Sequence, residues 1–144
     1  MTVTAARGAR VELIDMGQPL ELILARNLMS SISTPSVLVD TEGELLFYNE
    51  AAAALLGQRF EESGKMPWRE WSARFGPFDD AGAPIPFEEL PLTIALREGR
   101  PAHHHVTISA HSGDRHPVEV SAMPLVSTDG SFRGAIAFFW RDGG

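Results

Sequence analysis

Apolar and polar positions alternate with a period of two through most of Ala102–Trp140. Val106, Ile108 and Ala110 alternate with Thr107 and Ser109, and Val118, Val120 and Ala122 with Glu119 and Ser121. Phe132, Gly134, Ile136, Phe138 and Trp140 make a third set. This period predicts strands with one face on a core. Between the runs lie Ser112-Gly113-Asp114 and Asp129-Gly130. Glycine admits positive φ and aspartate bonds its own backbone, so both segments are predicted turns. The last third of the chain is therefore an expected antiparallel meander whose apolar face needs a cover.

Upstream the period lengthens. Val11–Ser33 is helical in pattern, with a break at Gly17-Gln18-Pro19, where a first-turn proline loses no intrahelical hydrogen bond. Leu20, Ile23, Leu24, Asn27, Leu28, Ser31 and Ile32 recur at three- and four-residue spacing. A stripe of that width suits either packing on its own domain or a seam for a second copy of the chain. Thr34-Pro35 ends the helix. Ser36–Asp40 and Glu44–Tyr48 read as a hairpin about the turn Thr41-Glu42-Gly43. Asn49 caps a helix over Glu50–Leu56, which Gly57 stops, and Arg59–Gly64 is loop-like.

Met66–Phe75 is a predicted helix carrying Trp68, Trp71 and Phe75 on one side, as core packing or as the wall of a small-molecule pocket. Pro77–Pro86 is a loop in which Asp79, Asp80 and Gly82 form a solvated turn rather than a metal site. Phe87–Glu98 is a predicted helix ended by Gly99, with Leu92, Ala95 and Leu96 toward the sheet. The order is helix, two strands, short helices, three strands. It predicts an α+β domain: one five-stranded antiparallel sheet, short helices on one face, and an N-terminal amphipathic helix.

Composition acts mainly by exclusion. The 144 residues suffice for one domain with a real core. A net charge of −7 argues against a nucleic-acid surface. No apolar run reaches bilayer-spanning length, so no membrane partner is expected. Met1–Arg10 lacks the apolar core of a signal peptide. The absence of cysteine excludes disulfides, thiolate metal sites and cysteine chemistry, and suits a reducing, cytoplasmic compartment. The chain is not expected to be an enzyme. It has no nucleophile elbow, Walker loop or GxGxxG, and Glu88-Glu89 suits the positive end of a helix dipole better than acid/base work.

Three strings carry a family resemblance. VLVDTEGELLFYNEAAAALLG (Val37–Gly57) is similar to the opening of a PAS domain, where a turn leads to an asparagine capping the first core helix. FDDAGAPIPFEELPLTIALREGRP (Phe78–Pro101) resembles the turn and long helix of many bacterial PAS sensors. HPVEVSAMPLVSTDGSFRGAIAFFWRD (His116–Asp142) resembles the family's last two strands. The likeness spans about Leu28–Asp142, which divides the chain into residues 1–33, a tail and flanking helix, and 34–142, the PAS-like domain. One departure stands out. Asp142 is followed by Gly143-Gly144 rather than an isoleucine-threonine step into a signalling helix, so the chain is expected to stand alone or to be a fragment.

The resemblance implies a sensory or regulatory module in signal transduction that binds a small organic ligand or a protein partner and works as a homodimer. The family's pocket lies between the inner sheet face and the short helices. Carried onto this chain, it would be lined by Leu55 and Leu56, by Trp68, Trp71 and Phe75, by Leu92 and Leu96, and by His104, Val120 and Ile136. The dimer seam would be Leu20, Ile23, Leu24 and Leu28. A cysteine-linked flavin or a thioester-linked chromophore is excluded by the lack of cysteine. Haem is disfavoured because neither Met66–Phe75 nor Phe87–Glu98 holds a histidine. Non-covalent FAD beside Trp68 and Trp71 stays open, and a small organic acid or apolar metabolite is the better expectation. A filled core, serving dimerisation without sensing, is the alternative.

His103-His104-His105 is the unusual polar cluster. On a strand His103 and His105 share one face and His104 takes the other. Its readings are a solvated strand start, a titrating cluster, or a zinc site completed across the hairpin by His111 or His116.

Overall fold

The structure, a computed structural model, describes residues 19–141. The predicted helical segment Val11–Gln18 and the terminal Asp142-Gly143-Gly144 lie outside the described residues. Five strands, β1 (Ser36–Val39), β2 (Leu45–Tyr48), β3 (Ala102–Ser109), β4 (Arg115–Val126) and β5 (Phe132–Arg141), form one sheet in the order β2-β1-β5-β4-β3. Every neighbouring pair is antiparallel. The helices are α1 (Leu20–Met29), α2 (Glu50–Leu56), α3 (Phe60–Ser63), α4 (Trp68–Phe75) and α5 (Pro91–Glu98).

Both faces of the sheet are covered, and each cover follows from a local pattern. On the inner face Val106, Val118, Val120, Ala122, Ala137 and Phe139 pack beneath residues of α2, α4 and α5. On the outer face Leu38, Leu46 and Ile136 pack beneath Leu22, Ala25 and Met29 of α1. The second cover corrects one expectation. Ile136 faces α1, not the helical roof, and its neighbours Ala135 and Ala137 are the inward residues. The central strand is buried on both sides from Gly134 to Ala137, so alternation gives no polar phase to read.

Three helical predictions also shift. The segment expected as one helix over Phe87–Glu98 is a 3-10 turn, Phe87–Glu89, followed by α5. Pro91 forces the preceding Leu90 into an extended conformation, φ −68° and ψ 138°, and then opens the helix. Arg59–Gly64, expected as loop, holds the single turn α3 because Phe60 anchors edge-on against Phe47 and Tyr48, 5.3 and 5.5 Å between ring centres. Met66 is not helical. It exchanges backbone hydrogen bonds with Leu45, 2.8 and 3.3 Å, and so covers the free edge of β2.

α1 uses two opposite faces. Leu22, Ala25 and Met29 are buried against the sheet. Leu20, Leu24 and Leu28, from the predicted stripe, are 63, 57 and 58% exposed, so packing on the domain uses other residues than that stripe.

Candidate functional site

Between the inner face and the roof of α2, α4 and α5 lies a cavity of about 90 Å³. Val37 and Val39 of β1, Val120 of β4 and Phe139 of β5 form its floor. Leu56 of α2, Trp71 and Phe75 of α4, and Leu92 of α5 form its roof. The wall is almost wholly carbon. Its two aromatic polar handles point outward and are already bonded. The Tyr48 hydroxyl donates to the Gln58 carbonyl at 2.6 Å and lies 3.1 Å from Ser63 Oγ. The Trp71 indole N–H donates to the Gly43 carbonyl at 2.9 Å. Burial raises the Tyr48 phenol above its ordinary pKa, against the Ser63 hydrogen bond that lowers it.

Of the residues expected at the pocket, Leu56, Trp71, Phe75, Leu92 and Val120 meet at this cavity. Leu55 and Leu96 belong to the same core but do not form the cavity wall. Trp68 lies away from it, tilted against Phe87 with ring centres 4.4 Å apart. His104 is on the exposed start of β3, opposite Val120 but outside the roof. Ile136 is on the other face. Val37, Val39 and Phe139 were missed. The apolar spacing of Val37 and Val39 in the first hairpin was the available signal.

A larger groove of about 450 Å³ lies open over Phe47, Tyr48 and the polar residues Glu50, Arg59 and Glu62. Its lining mixes charged and apolar side chains, whereas the inner cavity is lined by apolar side chains between sheet and helices.

Beside the cavity, Asn49 ties four segments together. It is 2% exposed. Its Oδ1 accepts from the Ser36 N–H at 3.1 Å and the Ala52 N–H at 3.0 Å. Its Nδ2 donates to the Met29 carbonyl at 3.1 Å and the Thr34 carbonyl at 2.9 Å. An amide side chain has two donor hydrogens and an acceptor oxygen, and here all are used. The predicted cap of α2 is thus also the clasp of α1.

The histidines do not converge. His103 Nε2 lies 2.7 Å from Glu119 Oε1, and its ring centre is 5.8 Å from that of Trp140. The strand register puts His103 opposite Ser121, whereas His116 stands opposite Ile108, roughly 17 Å further along β4. His111 lies in the turn beyond β3. Neither completes a zinc site with His103 and His105. Among the described residues no group of three or more metal-ligating side chains is placed to hold a metal.

A five-stranded antiparallel sheet roofed by short helices over an apolar chamber defines a small α+β domain. The chain matches the family model described as PAS fold over residues 29–141, and it belongs to that family. PAS domains are typically sensory signalling modules. A search of curated proteins found no match. Among solved structures, the PAS domain of BvgS from Bordetella pertussis is similar at 17% identity and a TM-score of 0.58, covering 86% of this chain and 87% of that one. The PAS domain of nitrogen regulation protein NR(II) from Vibrio parahaemolyticus is 15% identical with a TM-score of 0.59, covering 83% of this chain and 98% of that one. A light-oxygen-voltage receptor described as RNA-binding is 17% identical with a TM-score of 0.63, covering 98% of this chain and 37% of that one. At these identities the likeness is one of fold.

Flavin, which the sequence leaves open as a cofactor, is larger than the inner cavity. A single benzene ring occupies an engineered cavity of about 150 Å³. Three fused rings with amide edges exceed about 90 Å³, and the one indole N–H at the cavity, that of Trp71, is already bonded. Among the described residues no helix is long and apolar enough to cross a membrane.

Proposed function

We propose that this PAS domain is a regulatory rather than catalytic module that senses a small molecule in the inner cavity and works as a homodimer. One observation carries the reading: β1 and β5 line the cavity with one face and seat α1 with the other. Val37 and Ala137 look into the cavity, while Leu38 and Ile136, next to them, pack under α1. An occupant that displaces these strands changes the seat of α1. A ligand shifts such an equilibrium only by its difference in affinity for the two arrangements, and the shared strands supply that difference.

The homodimer is assigned to the outward leucines of α1. Three large apolar side chains on one helix face, each more than half exposed, are a seam awaiting a partner. Replacing Leu24 and Leu28 together by glutamate is expected to leave the circular dichroism unchanged and to weaken self-association at least about a hundredfold. Analytical ultracentrifugation over a dilution series measures this. A wild-type chain that sediments as a monomer, or a double variant as dimeric as the wild type, removes the assignment.

A further inference from the structure

We infer that the inner cavity selects a neutral, compact, apolar molecule, no larger than one small ring or a short alkyl chain, and rejects anions. The inference rests on the sensory reading above and adds the chemistry of the ligand. Size sets the upper limit: about 90 Å³ is below the roughly 150 Å³ that holds benzene in an engineered cavity, so filling it with a ring takes a small outward shift of the lining.

Polarity sets the class. Every lining side chain is aliphatic, aromatic or proline, and none is charged. The Tyr48 hydroxyl and the Trp71 indole would be the natural handles for a polar ligand, and both are committed to backbone carbonyls outside the chamber. No orphaned polar group waits inside either. The two buried side-chain atoms without a hydrogen-bond partner among the described residues, Ser36 Oγ and Arg133 Nε, belong to residues that do not line the cavity. A carboxylate entering here would lose its hydration and gain no donor. A water molecule needs two to four polar partners, and this lining offers none to hold one in place. An apolar guest then displaces no tightly held water and gains dispersion contacts with the lining.

The test uses the full chain with fluorobenzene and 4-fluorobenzoate, two probes on one fluorophenyl ring that differ by an added carboxylate. Fluorine NMR is expected to show fluorobenzene broadened and shifted by the protein and competed away by benzene, with 4-fluorobenzoate unaffected. Fluorobenzene near saturation should raise the melting temperature by at least about 3 °C. Ala137→Leu fills the cavity from its floor and should abolish the response, with Val37→Leu as the second variant if the first does not fold. Binding of 4-fluorobenzoate as strong as that of fluorobenzene, lost in the filled variant, overturns the apolar class and leaves the sensory reading standing. Fluorobenzene binding that survives in a folded filled variant places the ligand elsewhere and overturns the assignment. Should neither probe bind while the filled variant is more stable than wild type, the cavity is a packing defect, and both the class and the sensory reading fall.

Discussion

Asn49→Ala is expected to destabilise the domain by about 3–5 kcal/mol, a melting temperature lower by roughly 10–20 °C. Loss of a helix cap alone accounts for about 1 kcal/mol. The rest comes from the partners left behind. The Ser36 and Ala52 N–H groups and the Met29 and Thr34 carbonyls all bond this one side chain. A buried backbone group stripped of its partner costs about 1–3 kcal/mol, lessened where water can follow. Asn49→Asp separates the two functions. Its carboxylate still accepts from Ser36 and Ala52, but it cannot donate and it faces the Met29 and Thr34 carbonyls. Both variants should therefore free the C-terminal end of α1, seen as faster amide exchange in Ala25–Met29, whereas only Asn49→Ala should fray α2. Chemical denaturation and hydrogen exchange read both effects. An Asn49→Ala variant within about 1 kcal/mol of wild type would reduce the residue to an ordinary cap.

The contrast between cap and clasp marks how far the sequence could be read. Capping is local: asparagine before an alanine-rich run and glycine after it are visible in a dozen residues. The bonds from Asn49 to Met29 and Thr34 cross 20 and 15 residues and depend on how the chain returns, which no local pattern encodes. The strands were legible for the same reason as the cap. Val118, Val120 and Ala122 face the roof while Glu119 and Ser121 face the other way, so their polarity alternates. β5 is sandwiched, and only its partners' register tells Ile136 from Ala137. The cavity was half legible. Trp71 and Phe75 line the cavity, but Trp68, at the start of α4, stacks against Phe87 instead. Spacing gives the side of a helix a residue takes, not what lies beneath that end of it. The stripe of α1 suits either the domain or a second copy, and spacing does not reveal that the helix is apolar on two faces.

The second large effect is expected at Gly134. A methyl group there is predicted to destabilise the domain by about 2–4 kcal/mol and to disturb α1 along with the sheet. Gly134 lies in the central strand, opposite Leu125 of β4. A Cβ on it would run into the Val39 carbonyl oxygen, touch Leu22 Cδ2 at 3.0 Å, and press on Asp40 Cα at 3.4 Å. The first and last of these are backbone and cannot rotate away. The residue is thus the point where β1, β5 and α1 approach through the space of a missing side chain. Beside it Arg133 reaches Glu21 of α1 at 3.7 Å, so the same corner holds the helix by charge as well as by contact. Gly130→Ala is the matched control. Gly130 also has positive φ, +88°, but nothing lies within 4 Å of its Cβ position. Its replacement should show only the backbone strain of a non-glycine residue in the left-handed region, about 1 kcal/mol. The excess at Gly134, where φ is +157°, then combines the close approach with that position's own backbone cost. Since Leu22 is among the atoms displaced, Gly134→Ala should also raise exchange at the N-terminal half of α1, the end opposite to that released by Asn49→Ala. Equal destabilisation by the two glycine substitutions, with α1 equally protected in both, would show that this corner yields freely and that α1 is held by Asn49 alone.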